Sequence, residues 1–166
     1  MTTPCSGAKL IIVCGLPGSG KTTHARKLQT GLCAIRLCPD EWMDVLSVDI
    51  WNEQIRKKIE SLQWQLAQEL LHTGLTVIIE WGTWRRSERD ALRIRARELG
   101  ASVQLHYLSA PTDVLLDRLK HRGTEIPPIR REQLLEWANA FQPPTIDEQT
   151  LFDKDATLEA PTTLEE

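Results

Sequence analysis

The stretch Gly15-Leu16-Pro17-Gly18-Ser19-Gly20-Lys21-Thr22 constrains this chain more than any other, because it matches G-x-x-x-x-G-K-[ST] in the setting that pattern requires. Before it, Leu10-Ile11-Ile12-Val13-Cys14 is an unbroken apolar run of strand length; after it, Thr22 to Leu28 is helix-compatible. Strand, glycine loop and helix together make a cradle for phosphate. The glycines permit backbone angles that a Cβ forbids, and they let several N–H groups turn toward one anion. The helix that follows adds its unpaired N–H groups and the positive end of its dipole. In such a loop Lys21 reaches the β- and γ-phosphates of a nucleotide, and Thr22 offers its hydroxyl to Mg²⁺.

At 166 residues the chain is one domain's worth, long enough for a single core. A net charge of −3 leaves no basic footprint, so long nucleic acid is a possible partner but not a favoured one. The cysteines, Cys5, Cys14, Cys33 and Cys38, show no C-x-x-C spacing and read as structural thiols. No signal peptide opens the chain and no apolar run reaches membrane-spanning length, so the expectation is a soluble cytoplasmic protein without a membrane partner.

Past the first helix, Gly31 marks a turn, and residues 33–38 read as a second strand halted by Pro39. Asp40 follows it directly. Ligands of open parallel sheets gather beyond the carboxyl ends of the strands, so this acid is expected to face the same crevice as the glycine loop. It is the candidate general base toward an attacking hydroxyl, with a helix N-cap as its competing role. From about Ile50 to His72, Ile55, Ile59, Leu62, Leu66 and Leu70 predict one buried helical stripe. Residues 75–80 are a buried strand ending in Glu80, a candidate for Mg²⁺ or substrate. Arg85, Arg86 and Arg89 then open a helix on the crevice side, where guanidinium groups can hold an anionic substrate.

Residues 103–108 make a fourth strand, containing a packed His106. The next helix ends in Arg118, His121, Arg122 and Gly123, and residues 124–131 form a proline-stiffened, arginine-bearing connection suited to a lid. Arg122 is the candidate for neutralising transition-state charge, supported by Arg118 or Arg130. Tryptophan is the compositional oddity, six against one tyrosine and two phenylalanines. Trp42, Trp81 and Trp84 fall just past strand ends, where an indole can stack on a flat or sugar-like acceptor. Residues 153–166, acidic and nearly free of large apolar groups, are expected to be a disordered tail to a domain over 1–152.

With these residues laid out, the chain resembles the small P-loop kinases related to 5′-hydroxyl polynucleotide kinases, zeta toxins and chloramphenicol phosphotransferases. It resembles above all a group of bacterial AAA-type proteins that bind ATP. The resemblance runs over about residues 9 to 145 and rests on GLPGSGKTT at 15–23, PDEWM at 39–43, IIEWGTWRRSERD at 78–90 and RLKHRG at 118–123. It implies nucleotide contacts by Thr23, Arg118 and Arg122 as well as the loop, and a base role for Asp40. Two positions depart from the family. Met43 stands where polynucleotide kinases carry a basic residue three positions after their acid, and Glu80 stands where Asp is common.

The fold expected is therefore α/β: a three-layer P-loop nucleoside triphosphate hydrolase fold with a parallel sheet of four or five strands and an arginine-bearing lid. The activity expected is ATP- and Mg²⁺-dependent transfer of the γ-phosphoryl group to a small-molecule hydroxyl, with Asp40, Lys21 and Arg122 as catalytic residues. Asp40, Trp42, Glu80, Trp84, Arg85 and Arg89 are the substrate-binding candidates, and Thr22 and Glu80 the metal-binding ones. A 5′-hydroxyl polynucleotide kinase and an ATP-hydrolysing regulatory switch are the alternatives.

Overall fold

A computed structural model describes residues 7–123 and 127–154. Cys5, residues 124–126 of the expected lid and residues 155–166 of the expected tail lie outside them. The strands are β1 (Lys9–Cys14), β2 (Ile35–Leu37), β3 (Thr76–Gly82) and β4 (Ser102–Tyr107). The helices are α1 (Lys21–Leu32), α2 (Pro39–Val45), α3 (Glu53–His72), α4 (Arg86–Glu98), α5 (Thr112–Arg122), α6 (Arg131–Ala140) and α7 (Ile146–Gln149). The sheet is four-stranded, in the order β2-β3-β1-β4, and every pairing is parallel.

A parallel sheet covered on both faces needs strands that are apolar on both, and residues Leu10 to Cys14 of β1 have no exposed surface at all. Alternation divides them. Ile11, Val13 and Ile78 face α1, packing on Ala25 with Leu28 and Leu32 beside it. Leu10, Ile12, Val77, Ile79 and Val103 face the other way, against Trp64, Ala67 and Leu71 of α3 and Leu92 and Ala96 of α4. A third cluster joins α5 to α6 through Leu115, Leu116, Leu119, Ile129 and Leu134, and the loop residue Leu16 packs against it.

Four local readings are corrected. Helix α1 runs through Gly31 to Leu32 and is capped by Cys33, which takes the left-handed conformation at φ 50°. The buried stripe of α3 is Ile59, Gln63, Ala67 and Leu71, with Trp64 beside it, whereas Leu62 is 56% exposed. Ile59 holds its expected place; past it the centre of the stripe lies one residue on from Leu62, Leu66 and Leu70, of which Leu66 and Leu70 pack at its flank, because buried Gln63 and Ala67 carry no strong hydrophobic signal. Helix α2 begins at Pro39, a tolerated first-turn position, so Cys38 is its N-cap and Asp40 sits within the first turn. Strand β3 continues two residues past Glu80 to Gly82.

The C-terminal part holds an element that patterning missed. In α7, Glu148 is buried, and Phe152 behind it joins the α3–α4 core. Asp153 does not behave as tail: its carboxylate accepts the Val103 N–H at 2.6 Å, and its own N–H donates to the Val103 carbonyl at 2.8 Å. Among the described residues no helix is long and apolar enough to cross a membrane.

Candidate active site

The strand order places the chemistry. With β3 between β1 and β2, the ends of all three strands lie side by side, and the loop after β1, Glu80 of β3 and the start of α2 converge. The glycine loop needs its glycines for close approach. A Cβ on Gly15 would stand 2.3 Å from the Leu108 carbonyl oxygen and 2.7 Å from Ser19 Oγ, and one on Gly18 would stand 2.9 Å from the Leu115 carbonyl oxygen. Gly20, at φ 97°, turns the chain into α1 and so aims that helix's first N–H groups into the loop. Ser19 is buried with its hydroxyl unpartnered inside the cradle.

Lys21 donates from Nζ to the Leu16 carbonyl at 2.9 Å, folded across the loop it serves. Burial pushes its ammonium below the ordinary value, and the charges of Glu80 and Asp40 work against that fall. Arg122, the last residue of α5, is close enough to add a further lowering effect. Lys21, Asp40, Glu80 and Arg122 therefore share one electrostatic neighbourhood. Arg118 reaches the loop itself, with Nη1 donating to the Gly18 carbonyl at 3.3 Å. Beside it, Ser19, Gly20, Thr23, His24, Lys27 and Arg118 line a cavity of about 380 Å³. His106 lies just behind, with Nδ1 2.7 Å from His24 Nε2 and Nε2 3.3 Å from Gln104 Oε1, a packed histidine as expected.

Thr22 and Glu80 meet: the Thr22 hydroxyl donates to Glu80 Oε1. Two hard oxygen donors at the mouth of a phosphate loop fit Mg²⁺, which takes few protein ligands and completes its octahedron with phosphate oxygens and water. Among the described residues no group of three His, Cys, Asp or Glu side chains could hold a metal alone. The other oxygen of Glu80 accepts from Arg36 Nη1 at 2.7 Å, and Arg36 Nη2 donates to Glu41 Oε1 at 2.5 Å. Burial opposes the charge of this nearly enclosed guanidinium, but its hydrogen bonds to Glu41 and Glu80 outweigh burial and hold it firmly protonated. Arg36 thus ties the acid beside the loop to the helix bearing Asp40.

Asp40 is half exposed and paired with Arg56 of α3. Arg56 in turn lies 3.6 Å from Glu60, one helical turn on. Sequence reasoning missed both Arg36 and Arg56. Arg36 carries a signal in retrospect, a single charge inside an otherwise apolar strand; Arg56 carries none, since a helical Arg next to two lysines reads as a solvated face.

The substrate-side candidates divide. Trp84 keeps a place at the strand end, with its ring 6.1 Å from Trp137 and 6.5 Å from Phe141; Trp137 also stacks on Trp51 at 5.8 Å. Trp42 packs against the core on the α3 side, and so does Trp81, whose Nε1 donates to Gln63 Oε1 at 2.8 Å. Arg85 is exposed at the N-cap of α4, its backbone N–H donating to Glu88 at 3.1 Å. Arg89 is withdrawn from the site. It is fully buried, with Nε 2.6 Å from Glu148 Oε1, Nη2 2.9 Å from Oε2, and Nη1 3.0 Å from the Thr83 carbonyl. Its work is to hold the end of β3, where Gly82 and the following Thr83 both have positive φ.

A parallel β2-β3-β1-β4 sheet with helices on both faces, a glycine loop after β1 and a Thr–acid pair at that loop define a P-loop NTPase-type α/β domain. The chain belongs to the AAA domain family, whose profile matches residues 10–144. It is 30% identical over 123 residues to the L-seryl-tRNA(Sec) kinase of Methanococcus maripaludis, a match covering 71% of this chain and 48% of that protein. The chain thus spans about half the length of that curated relative. Among solved structures it is similar to one of the Pnkp1/Rnl/Hen1 RNA repair complex, with a TM-score of 0.68 and 20% identity over 89% of this chain and 47% of that one. A gluconokinase from Sinorhizobium meliloti aligns with a TM-score of 0.59 and 18% identity over 88% and 79% of the two chains.

Proposed function

We propose that the protein is an ATP- and Mg²⁺-dependent phosphotransferase that moves the γ-phosphoryl group to the hydroxyl of a small-molecule acceptor. The observation that carries this reading is the position of Asp40: an exposed carboxylate on the first turn of α2, close enough to Lys21 to act on its charge. A hydrolase needs no side chain there beyond one to orient water, whereas a kinase needs an acid facing an incoming alcohol. The names of the relatives, kinases of a seryl-tRNA and of a sugar acid, support the same reaction type.

Each residue then has a task. The loop N–H groups and Lys21 bind the β- and γ-phosphates, and Thr22 with Glu80 would hold Mg²⁺, which would supply charge neutralisation there. Asp40 accepts the hydroxyl proton as the acceptor oxygen bonds to the γ-phosphorus. The bond from that phosphorus to the β–γ bridging oxygen breaks, and ADP keeps the electron pair. Arg122 and Arg118 stabilise the spreading charge. Trp84 and Arg85 face the acceptor, and the net charge of −3 favours a small molecule over a polynucleotide.

The test is ATP turnover with and without D-gluconate, a nucleoside pool and an aminoglycoside pool, read by mass shift of the acceptor. A phosphorylated alcohol formed by the wild type and lost in Asp40→Asn supports the reading. Rapid hydrolysis with no phosphorylated product from any pool would overturn it.

A further inference from the structure

Asp40 lies in the first turn of α2, and the residue three positions on, Met43, is fully buried and offers it no charge. Its partner comes from another helix. Arg56 on the first turn of α3 donates from Nη2 to Asp40 Oδ1, while its Nη1 lies toward Glu60 Oε1. Both Arg56 and Glu60 are about three-quarters shielded from solvent, so this guanidinium has little freedom to wander. The N-terminus of α3 is itself fixed, because Asn52 caps it by accepting the Ile55 N–H at 3.1 Å.

A carboxylate with one oxygen occupied has one oxygen left. We propose that Arg56 is the positioning residue of the phosphotransfer site: it locks Asp40 Oδ1 so that Oδ2 alone takes the acceptor proton, and Glu60 aims Arg56. This rests on the phosphotransfer reading and deepens it. Such a clamp removes the rotation of the Asp40 carboxylate about its own bond, the freedom that a near-attack geometry must otherwise lose at each turnover. It also neutralises Arg56 twice over, which leaves this cation unsuited to capturing an anionic acceptor group. Burial holds the Glu60 carboxyl above the ordinary range; the Arg56 charge opposes that rise, and Glu88 and Asp40 add to it. The charged or titratable groups around Asp40 are Lys21 of α1, Cys38 and Glu41 at the start of α2, and Arg56 and Glu60 of α3.

The experiment uses the full chain and two readouts. The first is carbon-13 relaxation of the Asp40 carboxyl group in wild type, Arg56→Gln and Arg56→Lys, which needs no acceptor. Loss of the clamp is expected to increase the motion of that group in Arg56→Gln, with partial return in Arg56→Lys. The second is phosphotransfer from ATP, with D-gluconate and with molar glycerol as probe alcohols. Here kcat in Arg56→Gln falls about 10- to 100-fold, Arg56→Lys recovers part of it, and KM for ATP stays within about twofold. Glu60→Gln shows a smaller loss of the same kind.

Unchanged relaxation of the Asp40 carboxyl in folded Arg56→Gln overturns the proposal whether or not any alcohol is phosphorylated. So does a wild-type-like kcat, or a kcat loss that travels with ATP affinity. Failure of the wild type on every alcohol, with the relaxation changed as expected, would instead count against the phosphotransfer reading alone.

Discussion

Removing the Glu148 carboxylate isolates one of the least accessible charges in the protein. Arg89 has no exposed surface, and its side chain is held by two hydrogen bonds to Glu148 and one to the Thr83 carbonyl. Burial works against its charge, and the Glu148 hydrogen bonds more than offset it. In Glu148→Ala the guanidinium keeps its charge and loses its counter-ion, a change that costs about 3–5 kcal/mol when one partner of a buried pair is deleted. For a chain of this size each kcal/mol moves the midpoint of thermal unfolding by about 2–4 °C, so the expected drop in Tm is roughly 6–20 °C. Replacing both partners with apolar residues of similar volume, Arg89→Met with Glu148→Leu, should recover most of that loss, because no unpaired charge remains. Calorimetry on the two variants makes the comparison. A drop below about 1 kcal/mol in Glu148→Ala would falsify the buried-charge argument, since it would mean Arg89 finds water as soon as α7 yields.

Other expectations follow from single contacts. Gly15→Ala should fold yet lose nucleotide binding, because its Cβ falls 2.3 Å from a backbone carbonyl at φ 148°; fluorescent ATP analogue titration checks this, and retained affinity counts against the cradle. Of the described cysteines, Cys33 is exposed, whereas burial pushes the Cys14 and Cys38 thiols up to about 12 and about 11. Iodoacetamide at pH 8 should therefore modify Cys33 first by mass spectrometry, and early labelling of Cys14 would contradict the packing. The hydrogen bond from Arg36 holds the Glu41 carboxyl below its ordinary 4.5, so its stabilising effect is full above that value. It is lost as pH falls through the lower folded-state value. Glu41→Gln should accordingly be less stable than wild type near pH 7 and converge with it in acid, as chemical denaturation at several pH values will show.

The loop was legible because its function lives in backbone geometry, and Gly and Lys at fixed spacing announce it without help from tertiary structure. The place of Asp40 just past β2 was legible too, because Pro39 halts the strand directly before it. The network behind them was not. Arg36 meets Glu80 only because β3 runs between β1 and β2, and no local pattern in the sequence states that order. Arg89 was read as a substrate-side guanidinium because it follows a strand end, and its actual partner lies 59 positions away on an element too short to show periodicity. Beyond Ile59 the α3 stripe slipped by one residue for the opposite reason: leucines on the flank outshone the alanine and glutamine that occupy the centre.

The pairing of Asp153 with Val103 has a consequence for how copies of this molecule behave in a crowd. A sheet of this kind has two rims that could each recruit a stranger's backbone. One rim is β2, which offers only three residues before Pro39 ends it. The other is β4, and there Asp153 already occupies both polar groups of Val103. A chain cut just before Asp153 would keep its loop and its acids but uncover that rim, and it should be the aggregation-prone form of an otherwise intact protein.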